Sequence, residues 1–289
     1  MIDPETNNSA DAVQPRWRGA ALLRSGVLAF AGSIGATDTH AHHAVQIIMA
    51  TTPLTVLDEQ GAPHTGTKVV VPADTVHRIW GGAEDGTVIF LEPESAPGRA
   101  AHLRAIDAGW VISSAFASAA RRPLATVVAD VAAHLAPATS DRDVPAQHSS
   151  VDHALRLLPA LVAAGPVSGT KLAAQVGLSA SRFTHLFTEQ VGIPLRRYVL
   201  WSRLRIAITL VQGGDDLTGA AHGAGFADSA HLTRTTREMF GLPVTTRRLI
   251  EPFGIGSRRR RMTSLAPPQA ADRRATPRAP LRQYEEQAE

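Results

Sequence analysis

At 289 residues, 44% apolar, 19% charged and 5% aromatic, the chain is excluded from the mainly disordered and collagen-like classes and has apolar material for about two domains of ordinary size. It contains no cysteine, which removes disulfides, zinc fingers, iron–sulfur clusters and a cysteine nucleophile, so any metal must be held by histidine, carboxylate or amide. The net charge of +3 divides unevenly, with 10 Lys and Arg against 15 Asp and Glu in residues 1–149, 11 against 6 in 150–250 and 8 against 5 in 251–289: chance scatter, or the layout of a regulatory region joined to a polyanion-binding one.

Residues 1–15 are polar and are expected to be disordered. Asp3, Glu5 and Asp11 break the basic-then-apolar order of a secretion signal, and no apolar run approaches the roughly 20 residues that span a bilayer. A cytoplasmic protein with no membrane contact is expected. Short apolar runs then follow, as at 45–50, 69–71 and 88–91, bounded by Gly61, Pro72, Gly81, Gly82 and Gly86. They predict short strands and an all-β barrel or sandwich. After Pro97 the texture turns helical. Residues 124–135 and 151–162 carry apolar side chains at helical spacing, and the first stripe serves either the domain core or a dimer interface. Between them, residues 137–150 read as a linker. The predicted organisation is therefore a sensor and dimerisation region over 16–136, that linker, a helical region over 151–250 and a disordered tail over 251–289. In the tail, the arginines at 258–261 either attract phosphate nonspecifically or are a solvated run.

Residues 168–190 parse as two short helices around a tight turn. Leu172, Ala173 and Val176 form the first apolar stripe, Gly177 allows the turn, and Ser179 caps a second helix that buries Phe183, Leu186 and Phe187. About 48 residues later the pattern recurs, with Leu217, Ala220 and Ala221, then Gly225 and Phe226, a cap at Asp228, and Leu232 with Phe240. A long amphipathic stretch from 195 to 211, with Tyr198, Trp201, Leu204, Ile208 and Leu210, lies between the two units. As one helix it would hold them at a fixed spacing, and two reading helices about 34 Å apart can enter successive major grooves.

Residues 168–250 resemble the DNA-binding domain of AraC/XylS-type transcriptional regulators. The matching residues are Ala173, Gly177, Ser179, Phe187, Gly192, Tyr198, Arg203, Leu204, Ala207 and Leu210, then Ala221, Gly225, Phe226, Asp228, Arg234, Gly241 and Arg248. Departures are Leu232 and Thr236 where phenylalanines are usual, and Val244 in place of a proline that here comes one residue early, at Pro243. A polar Thr236 in the core is expected to weaken packing of the second unit. The resemblance implies base contacts from Ser181, Thr184 and His185 in the first unit and from Ala230, His231 and Arg234 in the second. Arg234 suits bidentate binding to guanine O6 and N7. Lys171, Arg182, Thr233 and Arg237 are expected on phosphates or in solvent. It further implies a homodimer on double-stranded DNA, with RNA polymerase as a partner.

His40, His42 and Gln46 share parity, so on one strand they face the same side. With Gly66, Pro72, Asp74 and His77 they resemble the two motifs of cupin barrels, with Gln46 where glutamate is usual. That resemblance implies an N-terminal cupin-like sensor. Three readings stay open for His40, His42, Gln46 and His77: lining a pocket for a small organic effector, holding a borderline divalent metal, or ordinary histidines satisfied by the backbone. His43, of opposite parity, is expected to face outward or toward another sheet, and His64, beside Pro63, to lie in a surface turn. The resulting expectation is a regulator that answers a small-molecule or metal signal and is not an enzyme. A metal-dependent cupin enzyme with an accessory DNA-binding domain is the alternative.

Overall fold

The computed structural model describes residues 15–24, 26–112, 122–135 and 148–242, all within one compact unit. The expected disordered N-terminus, most of the expected linker, Pro243, Val244, Arg248 and the tail with its arginines lie outside the described residues.

Six antiparallel strands come first: β1 (Arg18–Arg24), β2 (Val27–Ile34), β3 (Val45–Asp58), β4 (Pro63–Val71), β5 (His77–Gly81) and β6 (Ala83–Leu91). They hydrogen-bond in the order β1-β2-β6-β3-β4, with β5 on β3. All three predicted runs lie inside strands, and register sets them side by side: Ile47 pairs with Ile89 on β6 and with Val70 on β4. The runs are nearly continuous in apolar residues because both faces of the sheet are covered. On one face Val45, Ile47, Met49, Val70, Ile89 and Leu91 pack under α1 (Ala96–Ala108) and α2 (Leu124–Leu135), burying Val127, Val128, Val131 and Leu135. The stripe of α2 thus serves the core of this chain. On the other face Leu28, Phe30, Ile48, Val69, Val88 and Phe90 meet side chains from the C-terminal helices.

Those helices are α3 (Ser149–Ala164), α4 (Gly169–Gln175), α5 (Ala180–Val191), α6 (Leu195–Gly213), α7 (Leu217–Gly223) and α8 (Ser229–Phe240). The two helix-turn-helix units are α4–α5 and α7–α8, joined by α6. Gly177 and Gly225 hold φ of 73° and 80° directly after α4 and α7, the left-handed conformation that lets each chain turn sharply. Serine or aspartate caps every one of the four short helices. Ser179 Oγ accepts from Arg182 N at 3.4 Å and Asp228 Oδ1 from His231 N at 2.6 Å, as predicted, and Ser168 and Asp216 do the same for α4 and α7. Asp228→Ala should cost about 1 kcal/mol of stability, read by urea denaturation; no change would mean that water replaces the cap.

The two units are anchored differently. The first has its own core, in which Leu158, Leu172, Phe183 and Phe187 pack with Val199 of α6. The second has none of its own: Trp201, Leu204 and Ile208 of α6, Phe226, and Leu232, Met239 and Phe240 of α8 share one cluster with the sheet. Rather than a simple amphipathic linker, α6 is a spine buried on several sides.

Candidate functional site

The second helix of each helix-turn-helix unit buries one face and bares the other. In α5, Phe183, Phe187 and Val191 are buried while Ser181, Arg182, Thr184 and His185 are exposed; Thr184 Oγ1 turns back to donate to Ala180 O at 2.9 Å. In α8, Leu232, Thr235, Thr236, Met239 and Phe240 are buried, and Ala230, Arg234 and Arg237 are exposed. His231, half-buried, sets its ring edge against Phe226 at 5.2 Å, and Thr233 is half-buried beside it. Lys171 is exposed in the first turn of α4. Thr236 does not carry the penalty its polarity predicted: although buried, its hydroxyl donates to Leu232 O at 2.8 Å, one turn back in the same helix.

The histidines converge by a different route from the predicted one. β3 begins at Val45, so only Gln46 lies on it; His40 instead bridges His77 at the start of β5, with N–H to O distances of 2.9 Å in both directions. Parity therefore does not govern residues 40–43, yet His40, His42, Gln46 and His77 are all buried together. Each ring is anchored through Nδ1 to a backbone carbonyl: His40 to Asp38 O at 2.8 Å, His42 to Ala44 O at 3.0 Å and His77 to Thr75 O at 2.8 Å. Each Nδ1–H donates, which leaves each Nε2 as a lone pair. His42 Nε2 and His77 Nε2 lie 3.1 and 2.8 Å from Gln46 Oε1, and one ligand atom from each of the three histidines lies within 4.8 Å of the others.

Burial first, then the neighbouring ring His42, pushes the pKa of His40 down to about 3; burial likewise lowers His42, and His77 well below the usual range. All three are neutral at ordinary pH, the form that binds metal. Tetrahedral zinc, with Zn–N near 2.0–2.1 Å, holds its donors about 3.3 Å apart, so these four groups fit a borderline divalent ion with small movements. Backbone carbonyls already orient the rings, as the outer shell of a metal site does. With the amide of Gln46 turned over, its NH2 would instead satisfy two ring nitrogens.

His43 does not face outward. It is buried, with Nδ1 2.8 Å from Asp74 Oδ2, Nε2 2.6 Å from Glu94 Oε1 and its ring 5.5 Å from Tyr198 of α6. Burial opposes its charge, but the two carboxylates outweigh that and raise its pKa to about 9. Nor is His64 in a surface turn: it lies on β4, stacked on Trp110 at 4.2 Å and bonded to Asp58 at 3.1 Å.

The second unit roofs the histidine cluster. Phe240 and Trp201 lie 6.0 and 6.3 Å from the His42 ring, and Phe240 packs edge-on to Phe90 at 5.3 Å. The segment leading into the histidines is tied down as well: Asp38 N donates to Gly241 O at 2.6 Å, Arg237 pairs with Asp38 at 3.0 Å and Arg197 donates to Ala41 O at 3.3 Å. Gly241, at φ 61°, allows the approach, because a Cβ there would come within 2.2 Å of Asp38 O and 2.5 Å of His40 Nδ1. The indole N–H of Trp201 is buried with no partner among the described residues. Elsewhere a cavity of about 870 Å³ opens between the sheet edge and α3 and α6, lined among others by Arg24, Arg99, Arg156, Arg205, Glu92 and Asp152; Arg205 pairs with Glu92.

Residues 172–249 match a family model described as a helix-turn-helix domain. The chain carries an AraC-type DNA-binding domain. No curated protein matches in sequence. Among solved structures, ToxT from Vibrio cholerae O395 is 8% identical at a TM-score of 0.50, covering 79% of this chain and 99% of its own, a likeness of fold. An AraC-type regulator from Chromobacterium violaceum is 25% identical, with 37% and 90% covered and a TM-score of 0.32. An RmlC-like cupin from Desulfovibrio desulfuricans is 13% identical, with 32% and 97% covered and a TM-score of 0.23.

An AraC-type domain behind an antiparallel β region makes this chain a DNA-binding transcriptional regulator. The AraC-type residues expected on bases fall on two separate helices, and all but His231, which is half-buried against Phe226, are exposed. Missed in the sequence were the partners of His43 and the roof over the cluster. Trp201 and Phe240 read correctly as core of the AraC-type domain, but no local signal shows that the same rings also close the sheet.

Proposed function

We propose that this regulator reads DNA with Ser181, Thr184 and His185 of α5 and with Ala230, His231 and Arg234 of α8, and grips phosphates with Lys171, Arg182, Thr233 and Arg237. The observation that supports this is the pair of capped helices whose buried faces leave Ser181, Arg182, Thr184 and His185 of α5 and Ala230, Arg234 and Arg237 of α8 exposed. The division of labour follows the expected boundaries: a sensor over 16–136, a linker over 137–150 and the DNA reader over 151–250. His40, His42, Gln46 and His77 form the sensing site. The chain acts as a cytoplasmic homodimer that engages RNA polymerase and performs no catalysis, since Gln46 stands where a cupin enzyme usually has a carboxylate. In keeping with this, no described helix is long and apolar enough to cross a membrane.

Binding sites selected from random DNA by the full-length protein test the reading. On a selected site, Arg234→Ala should weaken binding by about 1–3 kcal/mol and relax the preference at one base position. An unchanged isotherm with unchanged preference overturns the assignment of Arg234.

A further inference from the structure

We propose that the cavity of about 870 Å³ between the sheet edge and α3 and α6 is a ligand site in its own right, one that takes a small organic dianion with a saturated aliphatic body. The shared chemistry is two negative charges on a short carbon chain, as a dicarboxylate or as a phosphate monoester. None of His40, His42, Gln46 and His77 lines this cavity, and the proposal is independent of which side chains read DNA.

The size suits a small molecule, for which about 300–1,000 Å³ is usual. Charge gives the first argument. Arg205 already pairs with Glu92, and Glu94 Oε1 lies 2.6 Å from the buried ring of His43, an imidazolium at neutral pH. Arg24, Arg99 and Arg156 also line the cavity, and none of them has an ion pair among the described residues; Arg99 only donates to the backbone carbonyl of Glu94. The one carboxylate there without an ion pair of its own is Asp152. An excess of guanidinium in a concave wall attracts anions. The roughly four lone-pair sites of one carboxylate fill two guanidinium forks, so a third fork calls for more acid oxygens than one carboxylate brings.

The rest of the wall selects the body. Leu155, Pro159 and Val162 lie at helical spacing along one face of α3, opposite Leu23 of β1 and Ile206 of α6. These are aliphatic surfaces, suited to a saturated chain rather than to a stacked aromatic ring. The cavity's serine and threonine hydroxyls already donate to carbonyls: Ser95 to Glu92 O at 2.6 Å, Ser202 to Tyr198 O at 3.0 Å and Thr209 to Arg205 O at 2.9 Å. They have no proton left for a sugar or polyol.

The test titrates full-length protein, at fixed ionic strength, with hexanedioate, hexyl phosphate, hexanoate and hexanediol, reading heat of binding and the midpoint of thermal unfolding. At least one dianion should bind at millimolar concentration or below and raise the midpoint. The tighter of the two identifies the head group. Hexanoate should bind about 3- to 10-fold more weakly than that dianion, and hexanediol not at all. Arg24 and Arg156 are exposed and unpaired, so Arg24→Gln and Arg156→Gln should each weaken the dianion about 3- to 10-fold while leaving the midpoint of the free protein unchanged. Asp152→Asn removes the opposing carboxylate and should tighten binding, a gain that misfolding cannot imitate.

No heat and no midpoint shift with either dianion overturns the site. Hexanoate binding as tightly as both dianions overturns the requirement for two charges, and hexanediol binding as tightly overturns anion selectivity. Dianion binding that survives both arginine substitutions, or that Asp152→Asn fails to tighten, lies outside this cavity and overturns its assignment.

Discussion

Phe240→Ala is expected to lower the free energy of unfolding by about 3–5 kcal/mol, the range for deleting a packed aromatic ring. Only 6% of Phe240 is exposed, and its ring meets Phe90 at 5.3 Å, Trp201 at 5.9 Å and His42 at 6.0 Å. The void left by alanine lies between a helix and a sheet, and each wall is held by its own hydrogen bonds. Collapse would require α8 to move bodily, and Gly241 tethers its end to Asp38. The cavity therefore stays largely open, and the loss falls towards the upper part of the range. Urea denaturation of the full chain measures it, with Phe240→Leu expected to restore a large share. A loss under about 1 kcal/mol would mean that the ring is not packed as described.

His43→Ala should cost about 2–4 kcal/mol. Removing one partner of a buried charge cluster typically costs 3–5 kcal/mol, reduced here because the side chains of Asp74 and Glu94 keep 25% and 18% of their exposure. With its pKa raised to about 9, His43 is an imidazolium at neutral pH, and it lies between two carboxylates. Without it they face each other across a space that alanine does not fill. Asp74 is moreover the one non-glycine residue with positive φ among those described, at 60°, and its N–H donates to His42 O at 3.0 Å. The loss of its ion pair thus falls on a strained residue next to the histidine cluster. Adding Asp74→Asn to the alanine variant removes one of the opposed charges and should recover part of the loss. Further destabilisation by the second change would show that repulsion is not the cause.

What the sequence reveals here follows how local the cause is. The runs at 45–50, 69–71 and 88–91 were legible because a sheet covered on both faces needs apolar side chains at nearly every position. The range of α2 and the caps Ser179 and Asp228 were legible because periodicity and capping act within a few residues. Parity failed at His40 and His42 because it presumes a strand, and the backbone there pairs His40 with His77, 37 residues on, before β3 begins. The partners of His43 are out of reach of parity for the same reason, lying 31 and 51 residues away. The polarity of Thr236 gave the wrong energetic sign because its hydroxyl finds a carbonyl one turn back. The site was recognisable as a set of residue types; how it is assembled and roofed was not.

The cluster that joins Val88 and Phe90 of the sheet to Trp201, Leu204 and Phe240 also bears on how such a chain evolves. Its two ends cannot be shuffled like beads on a string. A foreign DNA reader grafted after residue 150 would leave an oily floor under the sheet, and a foreign sensor would strip the second reading helix of its support. Changes at Phe90 should be inherited together with changes in α6 and α8, so that signal recognition and operator choice drift as a pair.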